Sequence, residues 1–331
     1  MGSGFFNRRI VGLIFFALTI LVMPKTLPND YYLTVLIFAG LNSILAIGLN
    51  LLLGYAGQIS LGHAAFFGLA AYASGILTAT HGWPFLGAAA SAVLLVGAVA
   101  YAIGKPTLKL KGHYLAMGTL GFGIIVYILF NEATAITGGP SGFSGIPKPS
   151  MLGWKPVKDI EFYYLIWAVA FLIFLLSQHI MLSRNGRALR AIHTSEAGAS
   201  ALGINVAGYK LFIFVVSALY AAVAGVLYAH YVTFVSPGTF GFPFSVQLVT
   251  MVVLGGMASL WGSLAGALFL TTLPEFLRMV ENFDIVIYGA ILVLCMIFLP
   301  GGLAEAIHWI ASLFVKVFRR IGLLSKREEA K

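Results

Sequence analysis

Ten apolar runs separated by short polar or glycine-rich connectors leave this chain few ways to fold. They lie at about 10–24, 31–53, 64–80, 85–104, 114–130, 162–182, 209–230, 244–258, 259–273 and 285–299. A helix needs about 20 apolar residues to cross the hydrocarbon core of a bilayer. A barrel strand needs only about ten and alternates polar with apolar side chains. These runs are longer, do not alternate and are rich in Ala, Leu and Gly, so they read as helices. Of 331 residues, 60% are hydrophobic and 9% charged, against roughly 45–50% and ~25% in soluble domains. No soluble core of this size hides that much apolar surface. The expected fold is all-α: a polytopic transmembrane helical bundle of about ten spans. The runs 244–258 and 259–273 are each short for a span, and are expected to form one broken or re-entrant element around Gly255-Gly256-Met257-Ala258-Ser259.

The basic residues set the orientation. With the N-terminus inside and ten alternating spans, fifteen of the twenty Lys and Arg residues fall on the inner side, among them Arg8, Arg9, Lys105, Arg184, Arg187, Arg190 and Lys210. Only Lys25, Lys148, Lys155, Lys158 and Arg278 fall outside. Cytoplasmic loops carry the Lys/Arg excess, so both termini are expected to be cytoplasmic. Arg8 and Arg9 precede an apolar run as in a signal peptide, but Pro24-Lys25-Thr26-Leu27-Pro28 offers no small-residue cleavage site. The run is therefore expected to be a retained first helix. Residues 1–315 read as one transmembrane domain and 316–331 as a basic cytoplasmic tail facing lipid. The chain is expected to be a multi-pass protein of a bacterial inner (plasma) membrane.

Several chemistries are excluded. Cys295 is the single cysteine, so no internal disulfide can form. The seven histidines show no metal-ligand spacing, and no metal or catalytic site is expected. The net charge of +9 is explained by cytoplasmic loops, so nucleic acid is not an expected partner. A phosphate-binding loop needs Gly, four residues, then Gly-Lys and Ser or Thr. The only Gly-Lys pair, Gly104-Lys105, is followed by Pro106. The chain is thus expected to bind no cofactor and to hydrolyse no nucleotide. Glu132, Glu161, Glu275, Glu281 and Asp284 all fall near outer ends of spans, which counts against a carrier coupled to protons or sodium through buried acids.

Two loops are long enough to act. The outer one, about 131–161, is rich in Gly and Pro and reads as a series of turns. The inner one, about 183–208, contains Glu196-Ala197-Gly198-Ala199-Ser200-Ala201, expected to form a short helix with Ser195 as N-cap and Gly203 as terminator. Polar residues within apolar runs are candidates for a translocation path: Asn42, Asn50, Gln58, Ser60, His63, Thr119, Gln247 and Thr250. Polar groups at membrane depth face the bundle interior, where they either line a path or bond helix to helix. The cluster at 50–63 favours a path, because Gly54, Gly57 and Gly62 allow helices to break there. The stretches Leu53–Gly62 and Leu254–Gly262 share a glycine-broken pattern, of the kind left by duplicated transporter halves.

Three stretches resemble the LivM-type permease subunit of branched-chain amino acid ABC importers. The first runs from Gly48-Leu49-Asn50 through Gly57-Gln58-Ile59-Ser60-Leu61-Gly62-His63 to Gly68. The second runs from Leu108-Lys109-Leu110-Lys111-Gly112-His113 to Gly123 and continues into Thr137-Gly138-Gly139-Pro140. The third runs from Arg187-Ala188-Leu189-Arg190 through Ala201-Leu202-Gly203-Ile204 to Leu254-Gly255-Gly256-Met257-Ala258-Ser259-Leu260. The resemblance implies a second homologous permease of the LivH type, two ATPase subunits that bind ATP and Mg, and a periplasmic substrate-binding protein. Relatives of this kind present a short cytoplasmic helix to the ATPase. Arg187, Arg190, Glu196, Ala197, Gly198 and Gly203 resemble that coupling loop, with Gly198 standing where Ala is usual. The implied cargo is Leu, Ile or Val. Urea or a short amide in the same type of importer is the alternative, and an independent secondary transporter the rival class.

Overall fold

The structure, a computed structural model, describes residues 3–26, 29–110, 112–150, 156–277, 284–298 and 301–305. Lys155, Arg278, Glu281 and the basic tail 316–331 lie outside the described residues. The helices are α1 Ser3–Thr26, α2 Asp30–Asn50, α3 His63–Ala79, α4 Phe85–Thr107, α5 His113–Glu132, the single turn α6 Thr134–Thr137, α7 Asp159–Leu182, α8 Arg184–Thr194, α9 Glu196–Ala201, α10 Val206–Val232, α11 Phe242–Gly255, α12 Leu260–Leu277 and α13 Asp284–Phe298. The chain is an all-α polytopic membrane protein.

Among the described residues, six helical stretches are long and apolar enough to cross a membrane: Asp30–Tyr55, Phe85–Thr107, His113–Glu132, Asp159–Leu182, Val206–Val232 and Leu260–Leu277. Gly12–Pro24, His63–Ala79 and Phe242–Gly255 are shorter apolar helices. Large apolar side chains on α4 and α5, such as Leu94, Tyr114, Met117 and Ile125, point away from the bundle. Surfaces of that kind suit lipid and not water.

The core is built around α2. Ile37, Ile44, Leu45, Ile47 and Leu49 are completely buried, against α7, α10, α11 and α12. Lipid tails are as apolar as Leu, so packing and interhelical hydrogen bonds must hold such a bundle together. Both are present around α2: Trp167 of α7 donates its indole N–H to Leu36 O at 3.0 Å, and Asn42 donates to Thr271 Oγ1 of α12 at 2.9 Å. Helices α11 and α12 pack as a hairpin whose backbones meet at Gly255, Gly262 and Gly266, where a β-carbon would overlap the facing chain.

The expected break in 244–273 lies where the glycines put it. Helix α11 ends at Gly255, and α12 begins at Leu260. The Gly and Pro of the outer loop do form turns: α6, a 3-10 turn at Gly139–Ser141, and a two-residue strand Phe143–Ser144. That strand pairs antiparallel with Phe234–Val235 beyond α10, Phe143 opposite Val235. His230 Nδ1 donates to Pro147 O at 2.8 Å and fastens the loop to the end of α10.

Candidate functional site

The site has three tiers: a cavity, a break in the helices, and a pair of short helices beyond the break. The cavity holds about 440 Å³ between α2, α10, α11 and α12, within the usual range of about 300–1,000 Å³ for small-molecule pockets. Its walls mix apolar side chains (Phe38, Leu41, Phe244) with polar ones (Thr34, Asn42, Gln247), and Glu275 closes the α12 side. Asn42 and Gln247 were expected from the sequence; Thr34, Thr271 and Glu275 were not, because hydropathy carries no signal of which helix ends converge.

The second tier is the unwound segment that follows α2. The helix loosens into a π turn, Leu51–Tyr55, then runs without helical structure to His63. Single π turns within helices are a common mark of functional sites. Gly57 makes the turn at φ +68°, which is left-handed backbone and costs an L side chain roughly 1–2 kcal/mol. Thr119 of α5 accepts the Leu61 N–H at 3.0 Å and pins the segment sideways.

This break touches the break between α11 and α12. Asn50 Oδ1 accepts from Ala258 N at 3.0 Å, while its Nδ2 donates to Ser259 O at 2.8 Å and Ser263 Oγ at 2.6 Å. Asn50 is completely buried, so this amide supplies the partner for the Ala258 N–H, which the break leaves without a helical one. Gly54 sits against the same contact: a β-carbon there would overlap both Asn50 Oδ1 and Ala258 N. The two glycine-broken stretches of similar sequence therefore meet through one side chain.

The polar residues of the unwound segment are differently placed. Ser217 of α10 donates to Gly48 O, so its oxygen is left to accept from His63 Nε2 at 2.7 Å. That assigns the proton to Nε2 and leaves Nδ1 as a bare acceptor. His63 Nδ1, Ser60 Oγ and both polar atoms of Gln58 are buried with no hydrogen-bond partner in the protein. Each such group costs about 1–3 kcal/mol unless something else satisfies it. Thr119 is buried and bonds the carbonyls of its own helix as well as the loop. Thr250 lies apart from the segment, its hydroxyl donating to Val246 O at 3.0 Å.

The third tier is α8 and α9. Ser183 caps α8, accepting from Asn185 N at 3.1 Å. The helix buries Gly186, Ala188, Leu189 and Ile192 and leaves Arg187 and Arg190 exposed. Ser195 caps α9 through Gly198 N at 3.1 Å, and Gly203 ends it at φ +78°, both as expected. Helix α8 itself was missed, although its Ser cap and the spacing of Gly186, Leu189 and Ile192 could have shown it. Helix α9 is tied to α10 by an ion pair between Glu196 and the buried Lys210. Its outer face leaves Ala197, Gly198 and Gly203 open, and Leu202 is 81% exposed. His193 at the end of α8 lies directly beneath Gly57, where a β-carbon would stand 3.4 Å from its Nδ1. Helix α8 is thus in contact with the break. Among the described residues no group of His, Cys, Asp and Glu could hold a metal ion.

Known proteins give this arrangement a family. Residues 31–298 match the family described as the permease component of the branched-chain amino acid transport system. The high-affinity branched-chain amino acid transport system permease protein LivM of Escherichia coli K12 is 35% identical over 286 residues, covering 78% of this chain and 67% of the relative. The permease protein LivH of the same organism is 28% identical over 279 residues, covering 79% and 90%. A probable branched-chain amino acid transport permease protein LivM of Methanocaldococcus jannaschii is 24% identical over 339 residues, covering 90% and 94%. No solved structure matches. With most of its length matched and more than a third of its aligned residues shared with one relative, this chain belongs to the branched-chain amino acid transport permease family.

Proposed function

We propose that this chain is the membrane-spanning permease subunit of an ATP-driven importer that carries Leu, Ile and Val across a bacterial inner membrane. The observation that carries the reading is the seating of α8, to which α9 is joined, against the unwound segment, with His193 under Gly57. A force applied to the short helices from the cytoplasm reaches the break directly. The break in turn lies between those helices and the cavity-lining part of α2, as alternating access requires.

In this reading the chain crosses the membrane ten times, counting α13 and the shorter apolar helices, with both termini inside. Arg187, Arg190, Glu196, Ala197, Gly198, Gly203 and the open Leu202 form the surface that docks in the ATPase. Asn42 and Gln247 lie on the outer part of the path, and Gln58, Ser60 and His63 on its inner part. ATP and Mg belong to two separate ATPase subunits. A LivH-type permease completes the membrane core, and a periplasmic binding protein delivers the cargo; the similarity of this chain to both LivM and LivH supports such a pair. Among the described residues no Asp or Glu is buried, which favours this reading over a carrier coupled through intramembrane acids.

The coupling assignment is tested by replacing Glu196 and Gly203 together in the assembled transporter. ATP hydrolysis is expected to continue while leucine uptake falls. Normal uptake by that variant would refute the assignment.

A further inference from the structure

We propose that His63 Nδ1 accepts a hydrogen bond from the ammonium group of the cargo as it crosses the helix break. This inference rests on the importer reading and names the chemistry of its inner site. It starts from the position of one proton. Gly48 of α2 lets α10 come close: a β-carbon there would stand 3.1 Å from Ser217 O and 3.6 Å from Ser217 Oγ. The Ser217 hydroxyl donates to Gly48 O, a carbonyl that can only accept. The hydroxyl has no second proton, so the imidazole supplies the one between His63 Nε2 and Ser217 Oγ, which are 2.7 Å apart. Among the described residues no carboxylate is buried to balance a charged ring. A neutral imidazole carries a single N–H, and Nδ1 is therefore an acceptor. It is buried and has no partner in the protein.

The unwound stretch around it suits the head of a zwitterion. A primary ammonium brings three donors and no acceptor. His63 Nδ1, Ser60 Oγ and Gln58 Oε1 are buried acceptors without partners within six residues of chain. Gln58 Nε2, also without a partner, is able to donate to the cargo's carboxylate. Residues 51–62 contain no Asp, Glu, Lys or Arg. A cargo of zero net charge can pass there, whereas one with a net charge would be buried without a counter-ion. Depth agrees. Ser217 stands near the middle of the 27-residue α10, and transporter sites lie near the bilayer midplane where helices are interrupted. Protein encloses Nδ1, so the cargo meets it as the break opens, a movement that α8 beneath Gly57 is placed to drive.

The test uses the complete transporter in proteoliposomes, with partner permease, ATPases and binding protein. It reads ATP-driven uptake of radiolabelled leucine beside co-purification with the ATPases and stability in an SDS titration. His63→Gln can keep a donor to Ser217 but puts no acceptor where Nδ1 stands. His63→Asn keeps an acceptor there and gives up the bond to Ser217. The Gln variant should match the wild type in stability and import subsaturating leucine about tenfold more slowly, the loss of one charge-assisted bond. The Asn variant should be the less stable of the two yet import within about threefold of wild type. A purely structural His63 reverses that order of uptake, and such a result would overturn the proposal. Wild-type uptake by His63→Gln would also overturn it, because Nδ1 would then hold water alone. Each variant decides by itself if the other does not assemble: an assembled Asn variant slowed more than about tenfold is contrary evidence of the same weight. A wild-type complex that imports no leucine overturns the importer reading itself, so the two failures are told apart by the wild-type sample.

Discussion

The side-chain oxygen of Asn50 accepts the backbone N–H of Ala258, 208 residues later in the chain, at 3.0 Å. One buried amide thereby joins the end of α2 to the turn between α11 and α12, and it holds Ala258 in left-handed backbone at φ 58°. It bridges the two helix breaks.

Asn50→Leu should therefore destabilise the protein well beyond an ordinary core substitution. It strands the Ala258 N–H in the bundle, at about 1–3 kcal/mol, while the Ser259 carbonyl keeps its bonds from Ser263. Gly54→Ala should give a loss of similar direction, because its methyl group would enter the same contact. SDS titration of the purified protein in mixed micelles would measure both. Stability equal to wild type in Asn50→Leu would show that the bridge contributes nothing.

Gln58→Leu should do the opposite. The Gln58 amide is buried with both polar atoms unpaired, so an apolar side chain of similar size is expected to raise stability by about 1–3 kcal/mol. Leucine uptake should fall at the same time, since a polar group kept at a cost is one that transport uses. Thermal denaturation and uptake measured on one preparation would check this. A variant both more stable and fully active would remove Gln58 from the path.

The Glu196–Lys210 pair should respond unequally to its two truncations. Lys210 is buried and Glu196 partly open to solvent. Glu196→Ala leaves a buried cation alone and should cost about 1–3 kcal/mol, discounted from a fully buried pair for the solvent near Glu196. Lys210→Met leaves a carboxylate that water can reach, and should cost less. Chemical denaturation of the two variants would rank them, and the reverse ranking would mean that the pair does not carry the contact between α9 and α10.

Topology can be read with single cysteines after Cys295→Ala. Ser200→Cys on α9 should react with a membrane-impermeant maleimide only from the cytoplasmic side, and Gly145→Cys in the outer loop only from the periplasmic side. Labelling of both from one side would refute the ten-crossing arrangement.

How much of this was legible in the sequence follows from the physics of each feature. The helices were legible because lipid demands long apolar runs, and the N-cap Ser195 and terminator Gly203 because capping is local chemistry. Gly57 and Gly255 marked the two breaks for the same reason. What those breaks touch was not legible. Asn50 reads in sequence like any polar residue in an apolar run, and only the fold brings it to Ala258. The cavity is a similar case: Asn42 and Gln247 stand out by polarity, whereas Glu275 looks like an ordinary acid near a helix end until α2, α11 and α12 converge. Helix α8 was hidden by its arginines, which lower hydropathy although its Gly186, Leu189 and Ile192 face is buried.

ATP-driven leucine uptake into proteoliposomes tests most directly whether this chain is a coupled permease. With the partner permease, both ATPases and the binding protein present, uptake should require ATP inside the assembly and should vanish when either the ATPases or the binding protein are left out. Leucine uptake by this chain alone, without ATPases, would contradict that and identify an independent transporter.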